Sequence, residues 1–546
     1  MNQNTIALRW VTIFVCLSLS CFAETQPHSS QACNGLSELK LSNVKSISVE
    51  EIVNGEFQSP FSKTILALPP FCRVAVLSAP AKSSNIHIEV WLPEHTWNGR
   101  LLGTGNGGGA GRISYGPLAA GIERGFATAN TDLGTAPDAN QVIGFPDRWT
   151  DFGHRATHEM TRIAKAIIAN YYGEPAKRSY FSGCSTGGQQ GLSEAEHYPA
   201  DYDGIIAGAP ANNRTHLHSE FLWNYQAAHQ VAGKSMLPPD RIAFVTRSIL
   251  AACVGKDGGA PDDGFLTDPR SCKFKLASLP ICSADGEANC VSREQLATLE
   301  RIYAGPTNPR TEGRIYAPLP FGTESSNLGL TYQEDSSQLP KQQFYPFLWA
   351  FGADWNPMKF NFDRDEDRVD QKLAPLLNAN SSDLTVFEKD GGRLIMFTGT
   401  ADPIVPFPDT IAFYERVIAF ERQQSMSMDS ADALVRTQQF FRYYLVPGMG
   451  HCSGGPGLNN FGQGISLHDN DLLFKLENWV EHGVAPDQLL ASGSRYGSSH
   501  AIIQRNLCPY PELPTYGGGD AKLETSFRCI SHPRGDVPVP AAWYLH

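Results

Sequence analysis

Apolar and polar positions along the first two hundred residues fall into two alternating rhythms. Apolar runs at 87–92, 101–103, 179–182 and 204–207 predict strands, and the amphipathic stretch 154–172 predicts a helix. Strands alternating with helices are the mark of βαβ units on a mostly parallel sheet, which places the chain in the α/β class. From Asn212 to about Ser382 the rhythm gives way to Pro, Gly, Asp and clustered Cys. It returns at 393–397 and 440–446, each an apolar strand running into a loop with Gly or Pro, and a helix follows at 471–482. The interruption therefore reads as an inserted, disulfide-stapled domain at 212–385, flanked by a first part at 24–211 and a second at 386–546. No internal repeat or low-complexity tract is visible.

One apolar run fits neither rhythm. Residues 10–21 follow Arg9 and end in Cys21-Phe22-Ala23, with small residues where a signal peptidase reads, so 1–23 is expected to be a cleaved signal peptide. The run is shorter than the ~20 apolar residues a membrane span needs. Ser18-Leu19-Ser20 is a poor lipobox, which argues against a lipoprotein at Cys21. Removing the segment leaves ten cysteines, an even number that reads as five disulfides in an oxidising compartment, extracellular or periplasmic. A chain of 546 residues also exceeds one ordinary core. The net charge of -12 comes without any basic run. Nucleic acid and anionic membranes are thus poor partners, and a neutral or weakly polar small molecule fits better.

Candidate chemistry sharpens this picture. The strand at 179–182 runs into Gly183-Cys184-Ser185-Thr186-Gly187 and then into a helix-compatible stretch. A bare G-x-S-x-G also occurs in ordinary glycine turns, but strand before and helix after make it a nucleophile elbow, with Ser185 projected from a strained turn. A serine hydroxyl needs a base, and the base needs a carboxylate to hold its tautomer. In hydrolase order these follow as acid and then histidine. Asp402 lies just after the strand at 393–397, and His451 lies in a Gly-rich loop after the strand at 440–446. Helix capping by Asp402 and a packed His451 are the plainer readings of each taken alone. The expected class becomes an α/β-hydrolase fold with a large inserted lid domain.

Two cysteines join the motifs. Cys184 adjoins Ser185 and Cys452 adjoins His451, so a Ser185–His451 hydrogen bond would bring these neighbours to the ~5.5 Å Cα separation a disulfide needs. Oxyanion donors are expected from the amide of Thr186 and from the early glycine loop 103–111, at Gly107 or Gly108. That loop carries neither a Walker lysine nor a correctly placed Rossmann acid, which argues against phosphate. His154 and His158 stand four apart but lack the glutamate of a metalloprotease helix, and His216 with His218 is weaker still as a zinc motif. The stretch 257–265 is dense in Asp and Gly, as calcium loops are, without the spacing of an EF-hand. Asn213 and Asn380 stand in glycosylation sequons.

With these residues in view, the chain resembles the tannase and feruloyl esterase family, which includes terephthalate monoester hydrolases. The matching motifs start at Trp97-Asn98-Gly99-Arg100 and continue through Gly183-Cys184-Ser185-Thr186-Gly187-Gly188, the stretch 203–210 and Asp268-Pro269-Arg270-Ser271-Cys272. They end with the stretch 447–455 and Trp479 to Pro486. The resemblance implies a secreted serine carboxylesterase for esters of aromatic acids such as ferulate or gallate, free or attached to plant polymer. It implies disulfides Cys33–Cys72, Cys184–Cys452, Cys253–Cys272, Cys282–Cys290 and Cys508–Cys529. It also implies a structural calcium, with Asp257 and Asp263 as ligands and main-chain oxygens at Gly259 and Phe265. Here Val254 replaces an early acid and the loop is one residue longer. No cofactor is expected in catalysis. Terephthalate monoester hydrolysis and a non-catalytic secreted binding protein are the alternatives, and the presence of all three triad residues in order argues against the second.

Overall fold

Parallel strands buried on both faces carry unbroken apolar runs, whereas strands with one open face alternate. Both kinds occur in a computed structural model of the chain, which describes residues 30–60, 65–229, 235–284, 287–324, 341–424, 428–464, 471–494 and 502–534. The segment expected to be a signal peptide, 1–23, lies outside the described residues. After the short helix α1 (Ser30–Gly35) come β1 (Val44–Ile52), a small hairpin of β2 (Glu56–Gln58) and β3 (Ile65–Ala67), then β4 (Phe71–Ser78), β5 (Ile86–Pro93) and β6 (Arg100–Thr104). Next are α2 (Tyr115–Glu123), β7 (Ala127–Thr131), α3 (Pro146–Thr150), α4 (Ala156–Tyr172), β8 (Arg178–Cys184), α5 (Thr186–His197) and β9 (Gly204–Gly208). The sheet is completed far later by β10 (Arg393–Gly399) and β11 (Phe441–Val446).

Nine strands form one sheet in the order β1-β4-β5-β7-β6-β8-β9-β10-β11. From β7 onward every pairing is parallel. The first three strands are antiparallel. This corrects one expectation, since the strand anticipated at 87–92 is not part of a βαβ unit. The connection 79–85 between β4 and β5 is too short for a crossover and makes a hairpin-like return instead. The difference is visible in burial: β4 alternates buried and half-buried positions, whereas every residue of β7 and β9 is buried.

α4 packs Met160, Ile163, Ala164, Ile167 and Ile168 into the core and ends at Gly173, whose φ of +75° supplies the left-handed cap. Each fully buried aliphatic side chain of this kind is worth about 1.5–3 kcal/mol of transfer free energy. The helix expected at 154–172 is present and runs on without a break from α3 through a π-turn over Asp151–Arg155, so it starts earlier than expected.

β9 and β10 are hydrogen-bonded neighbours, with Arg393 opposite Gly204. Residues 209–392 therefore leave the sheet and return to it between adjacent strands. Its regular elements among the described residues are helices: α6 (Arg214–Ala228), α7 (Pro239–Cys253), α8 (Arg293–Ala304) and further helices at Lys341–Phe351 and Asp365–Leu377. It does not pack as one unit. Ile242, Val245, Ile249, Leu299 and Ile302 of α7 and α8 form a small core of their own with Cys253 and Cys272. Leu222, Tyr225, Phe347, Trp349, Val369 and Leu373 instead join the main core beside α4. Small cores lean on cross-links, and two of the five disulfides, Cys253–Cys272 and Cys282–Cys290, sit here. The other expected pairs, Cys33–Cys72, Cys184–Cys452 and Cys508–Cys529, are also formed. Among the described residues no helix is long and apolar enough to cross a membrane.

Candidate active site

β8 ends at Cys184 and α5 begins at Thr186, so Ser185 alone makes the turn. Its φ of +64° and ψ of -119° lie in a region that residues with side chains rarely occupy. The surroundings over-determine that conformation. The Ser185 amide donates to the Gly208 carbonyl at 2.9 Å, and the Ala211 amide donates to the Ser185 carbonyl at 3.1 Å. The motif's glycines are required by contact. A Cβ on Gly183 would lie 2.5 Å from the Gly187 carbonyl oxygen, and one on Gly188 would lie 2.3 Å from that of Gly208.

Asp402 and His451 follow β10 and β11 at the same sheet edge. Asp402 is fully buried, and its Oδ1 accepts the amides of Ile404 at 2.8 Å and Val405 at 3.0 Å. His451 Nδ1 lies 3.0 Å from Asp402 Oδ2, which leaves Nε2 as the nitrogen able to take a proton from elsewhere. Burial pushes the His451 pKa down, but the charge and hydrogen bond of Asp402 outweigh it, and the net shift is upward from the ordinary 6.5. Main-chain contacts lock the two loops together: Ala401 donates to the Met449 carbonyl at 3.0 Å, and Gly448 donates to Thr400 Oγ1 at 2.8 Å. The Cys184–Cys452 disulfide, with Cα atoms 5.9 Å apart, then ties the histidine loop to the elbow. All three expected residues converge on one place.

The loop after β6 faces the same turn. Asn106 fastens it, since its amide donates to Gln190 Oε1 at 2.8 Å and its carbonyl accepts the Gly187 amide at 2.8 Å. Thr186 Oγ1 donates to the Gly108 carbonyl at 2.6 Å. Gly107 and Gly108 are exposed and border open space, where even a Cβ would meet nothing within 4 Å. Thr186, Gly107 and Gly108 are thus gathered beside Ser185, with no protein acceptor for their amides among the described residues.

One wall of the site lay beyond sequence reasoning. α6 presents Arg214, Leu217, His218 and Phe221, the i, i+3, i+4, i+7 face of a helix. Leu217 belongs to an apolar cluster with Ala209, Tyr316 and Val405, against which Phe221, Cys184 and Cys452 pack. Arg214 is buried and donates to Thr186 Oγ1 at 3.0 Å. Apolar residues on this helix are buried on all sides, so no amphipathic stripe marks the functional face.

The family model for tannase and feruloyl esterase matches residues 72–530. The chain belongs to this family. An uncharacterized esterase of Xanthomonas campestris pv. campestris is 34% identical, with 94% of this chain and 93% of that protein covered. A mono(2-hydroxyethyl) terephthalate hydrolase of Piscinibacter sakaiensis is 30% identical, with 89% of each covered. Among solved structures, an esterase from Aspergillus oryzae superposes with a TM-score of 0.81 at 28% identity, covering 91% of this chain and 99% of that one. As a tannase and feruloyl esterase family member, the protein is a carboxylic ester hydrolase.

Family membership gives the Asp257 loop its interest. Three oxygens converge on Gly259: a Cβ there would lie 2.7 Å from Thr267 Oγ1, 3.0 Å from Asp263 Oδ2 and 3.2 Å from Asp257 Oδ1. Thr267 Oγ1 is buried with no hydrogen-bond partner, and the carbonyls of Gly259 and Phe265 accept none among the described residues. Burial holds the Asp257 carboxyl above its usual range. An all-oxygen cradle with two carboxylates suits a hard cation such as calcium. Asp263 Oδ1 also pairs with buried Arg505 at 2.6 Å. Thr267 is a residue that sequence reasoning missed.

The remaining candidates have other partners. His154 Nδ1 meets Tyr198 Oη at 2.8 Å, while His158 Nδ1 meets Asp201 at 2.7 Å. His216 bridges the Ile315 carbonyl at 2.6 Å and Asp370 at 2.8 Å inside the core, and His218 Nδ1 faces the Gln343 carbonyl. Asn213 is buried, with its side chain on Asp409 and Asn380, so its sequon is closed to a glycan in the folded chain.

Proposed function

We propose that the protein is a secreted serine carboxylesterase that hydrolyses esters of aromatic acids of the feruloyl or gallate type through an acyl-enzyme. The reading places the active site on an α/β-hydrolase sheet, with the segment 212–385 as a lid that shapes the acyl pocket. The observation that carries it is the Cys184–Cys452 disulfide, which holds the strained Ser185 turn beside a histidine already oriented by Asp402. Ser185 Oγ attacks the ester carbonyl as its proton passes to His451 Nε2. Asp402 stabilises the imidazolium, and the amides of Thr186 and of Gly107 or Gly108 hold the oxyanion. The alkoxide leaves with the proton from His451. Water then attacks the acyl carbonyl as its proton passes to the same nitrogen, and the proton goes on to Ser185 Oγ as the acyl–Oγ bond breaks and the acid leaves. No cofactor takes part.

A structural Ca2+ held by Asp257, Asp263 and the carbonyls of Gly259 and Phe265 belongs to the same reading. It would neutralise buried carboxylates and fix the loop, and no catalytic step passes through it. Five disulfides support an oxidising destination. Terephthalate monoesters are the second substrate class, favoured by the relative that hydrolyses mono(2-hydroxyethyl) terephthalate.

The test is turnover of methyl ferulate, methyl gallate and mono(2-hydroxyethyl) terephthalate by wild type and Ser185→Ala. We expect wild-type hydrolysis of at least one ester and a loss of about 10⁴-fold or more in the variant. An unchanged rate in Ser185→Ala, or no wild-type turnover of any ester, would overturn the reading.

A further inference from the structure

Arg214 opens α6 and is buried, with only 2% of its surface exposed. A buried guanidinium ordinarily faces a carboxylate, because an isolated charge is costly to remove from water. Arg214 makes no ion pair among the described residues. Its contacts are neutral: one Nη donates to Tyr345 Oη at 2.9 Å, the other to Thr186 Oγ1 at 3.0 Å, and Cζ sits 5.1 Å over the Phe152 ring. Its Nε has no partner. Among the described residues, the guanidinium thus has no carboxylate partner, and it lies one side chain away from Ser185.

The contact with Thr186 is directional. Thr186 Oγ1 accepts from Arg214 and donates onward to the Gly108 carbonyl at 2.6 Å. Arg214, Thr186 and Gly108 therefore form a relay from α6 to the glycine loop. A hydroxyl that accepts a charge-assisted bond is the stronger donor, so the cation tightens the grip of Thr186 on Gly108. That grip sets the spacing between the Thr186 amide and the amides of Gly107 and Gly108. Gly108 has φ of +56°, and a Cβ on it or on Gly107 would meet nothing within 4 Å; Asn106 pins the loop on one side and Thr135 Oγ1 holds the Gly109 carbonyl at 2.7 Å on the other, and between them the bond from Thr186 fixes Gly108.

We propose that Arg214 is a positioning residue for the oxyanion hole: through Thr186 it fixes the glycine loop against the nucleophile turn, and its charge goes unpaired until negative charge develops on the substrate. The proposal rests on the reading of Ser185 as nucleophile and Thr186 as oxyanion donor. Its physical content is differential. A group complementary only to the tetrahedral state accelerates the reaction without tightening substrate binding.

The experiment compares wild type, Arg214→Gln, Arg214→Lys and Thr186→Val on the best ester of the panel. A boronic acid carrying the same aryl group, which forms an anionic tetrahedral adduct with an active-site serine, is titrated in parallel. Arg214→Gln is expected to lower kcat by about 10- to 100-fold with KM within about twofold. Boronate affinity should fall by a similar factor, while binding of the uncleaved ester in a Ser185→Ala background stays unchanged. Arg214→Lys keeps the charge and loses the fork, and should recover only part of the rate. Thr186→Val keeps the amide and cuts the relay, so it should reproduce the loss even if Arg214→Gln fails to fold. Wild-type kcat in both Arg214→Gln and Thr186→Val would overturn the proposal, as would a loss confined to KM. Failure of the boronate to bind wild type would instead overturn the underlying reading of the site, and the proposal with it.

Discussion

The turn at Ser185 and the loop at Asp257 are both glycine-rich, yet they are held by opposite means. The Ser185 turn is a backbone object: Gly183 and Gly188 let main chains approach so closely that a single methyl group has no room. The Asp257 loop is an electrostatic object, in which buried carboxylates gather around Gly259 and Arg505 takes one of them. Steric exclusion is short-ranged and tolerates nothing, while charge can be rebalanced by an ion, a proton or a neighbouring residue. The first kind of site should fail abruptly on substitution, and the second gradually with solution conditions.

The largest effect should come from breaking the steric side. Gly183→Ala forces a Cβ onto the Gly187 carbonyl, and overpacking against backbone costs about 1–3 kcal/mol or more. Activity should drop below detection, with a lowered melting temperature. Gly107→Ala is its counterpart in the same site, and it should fold like wild type because its Cβ enters open space. Equal melting temperatures and activities for the two variants would show that the elbow is not sterically locked.

A smaller effect is expected on the electrostatic side. Thr400 Oγ1 donates to the Leu266 carbonyl at 3.0 Å, and a Cβ on Gly448 would strike the Phe265 ring, so the Asp257 loop abuts the loops of Asp402 and His451. Chelation of calcium should lower the melting temperature by about 2–4 °C, with recovery on adding Ca2+ but not Mg2+. A melting temperature indifferent to chelator would show that Arg505 and the backbone amides alone balance the carboxylates.

The same contrast explains what could be seen in the sequence. The strands 179–182, 204–207, 393–397 and 440–446 and the elbow were legible because parallel strands and a tight turn impose local spacing on residues close along the chain. Ser185, Asp402 and His451 were legible because each follows such a strand, and the adjacency of Cys184 and Cys452 to two of them joined the motifs across 268 residues. Arg214 and Thr267 had no local signal. One sits on a helix buried all round, and the other is an ordinary threonine whose role depends on where the chain folds back. The antiparallel course of β5 was hidden for a related reason, since an apolar run of this length is compatible with either direction. The division of 209–392 among several cores was hidden too, because burial against a distant partner leaves no periodic mark.

The smallest effect tests whether steric and electrostatic control meet at His451. Its pKa is raised because Asp402 outweighs burial, so the imidazole loses its proton only above the ordinary 6.5. In the proposed role of general base it must be neutral, and kcat/KM should therefore fall as pH drops through a midpoint above 6.5. Stability moves the other way. A histidine whose folded pKa exceeds its unfolded value stabilises the fold fully below the unfolded pKa, and that contribution fades as pH rises through the folded one. Between those two values the enzyme should gain rate while giving up a little stability, measurable as opposed slopes of kcat/KM and melting temperature against pH. An acid limb with its midpoint below 6.5 would mean that burial of the imidazole, enforced by the packed loops and the Cys184–Cys452 bridge, dominates over the charge of Asp402.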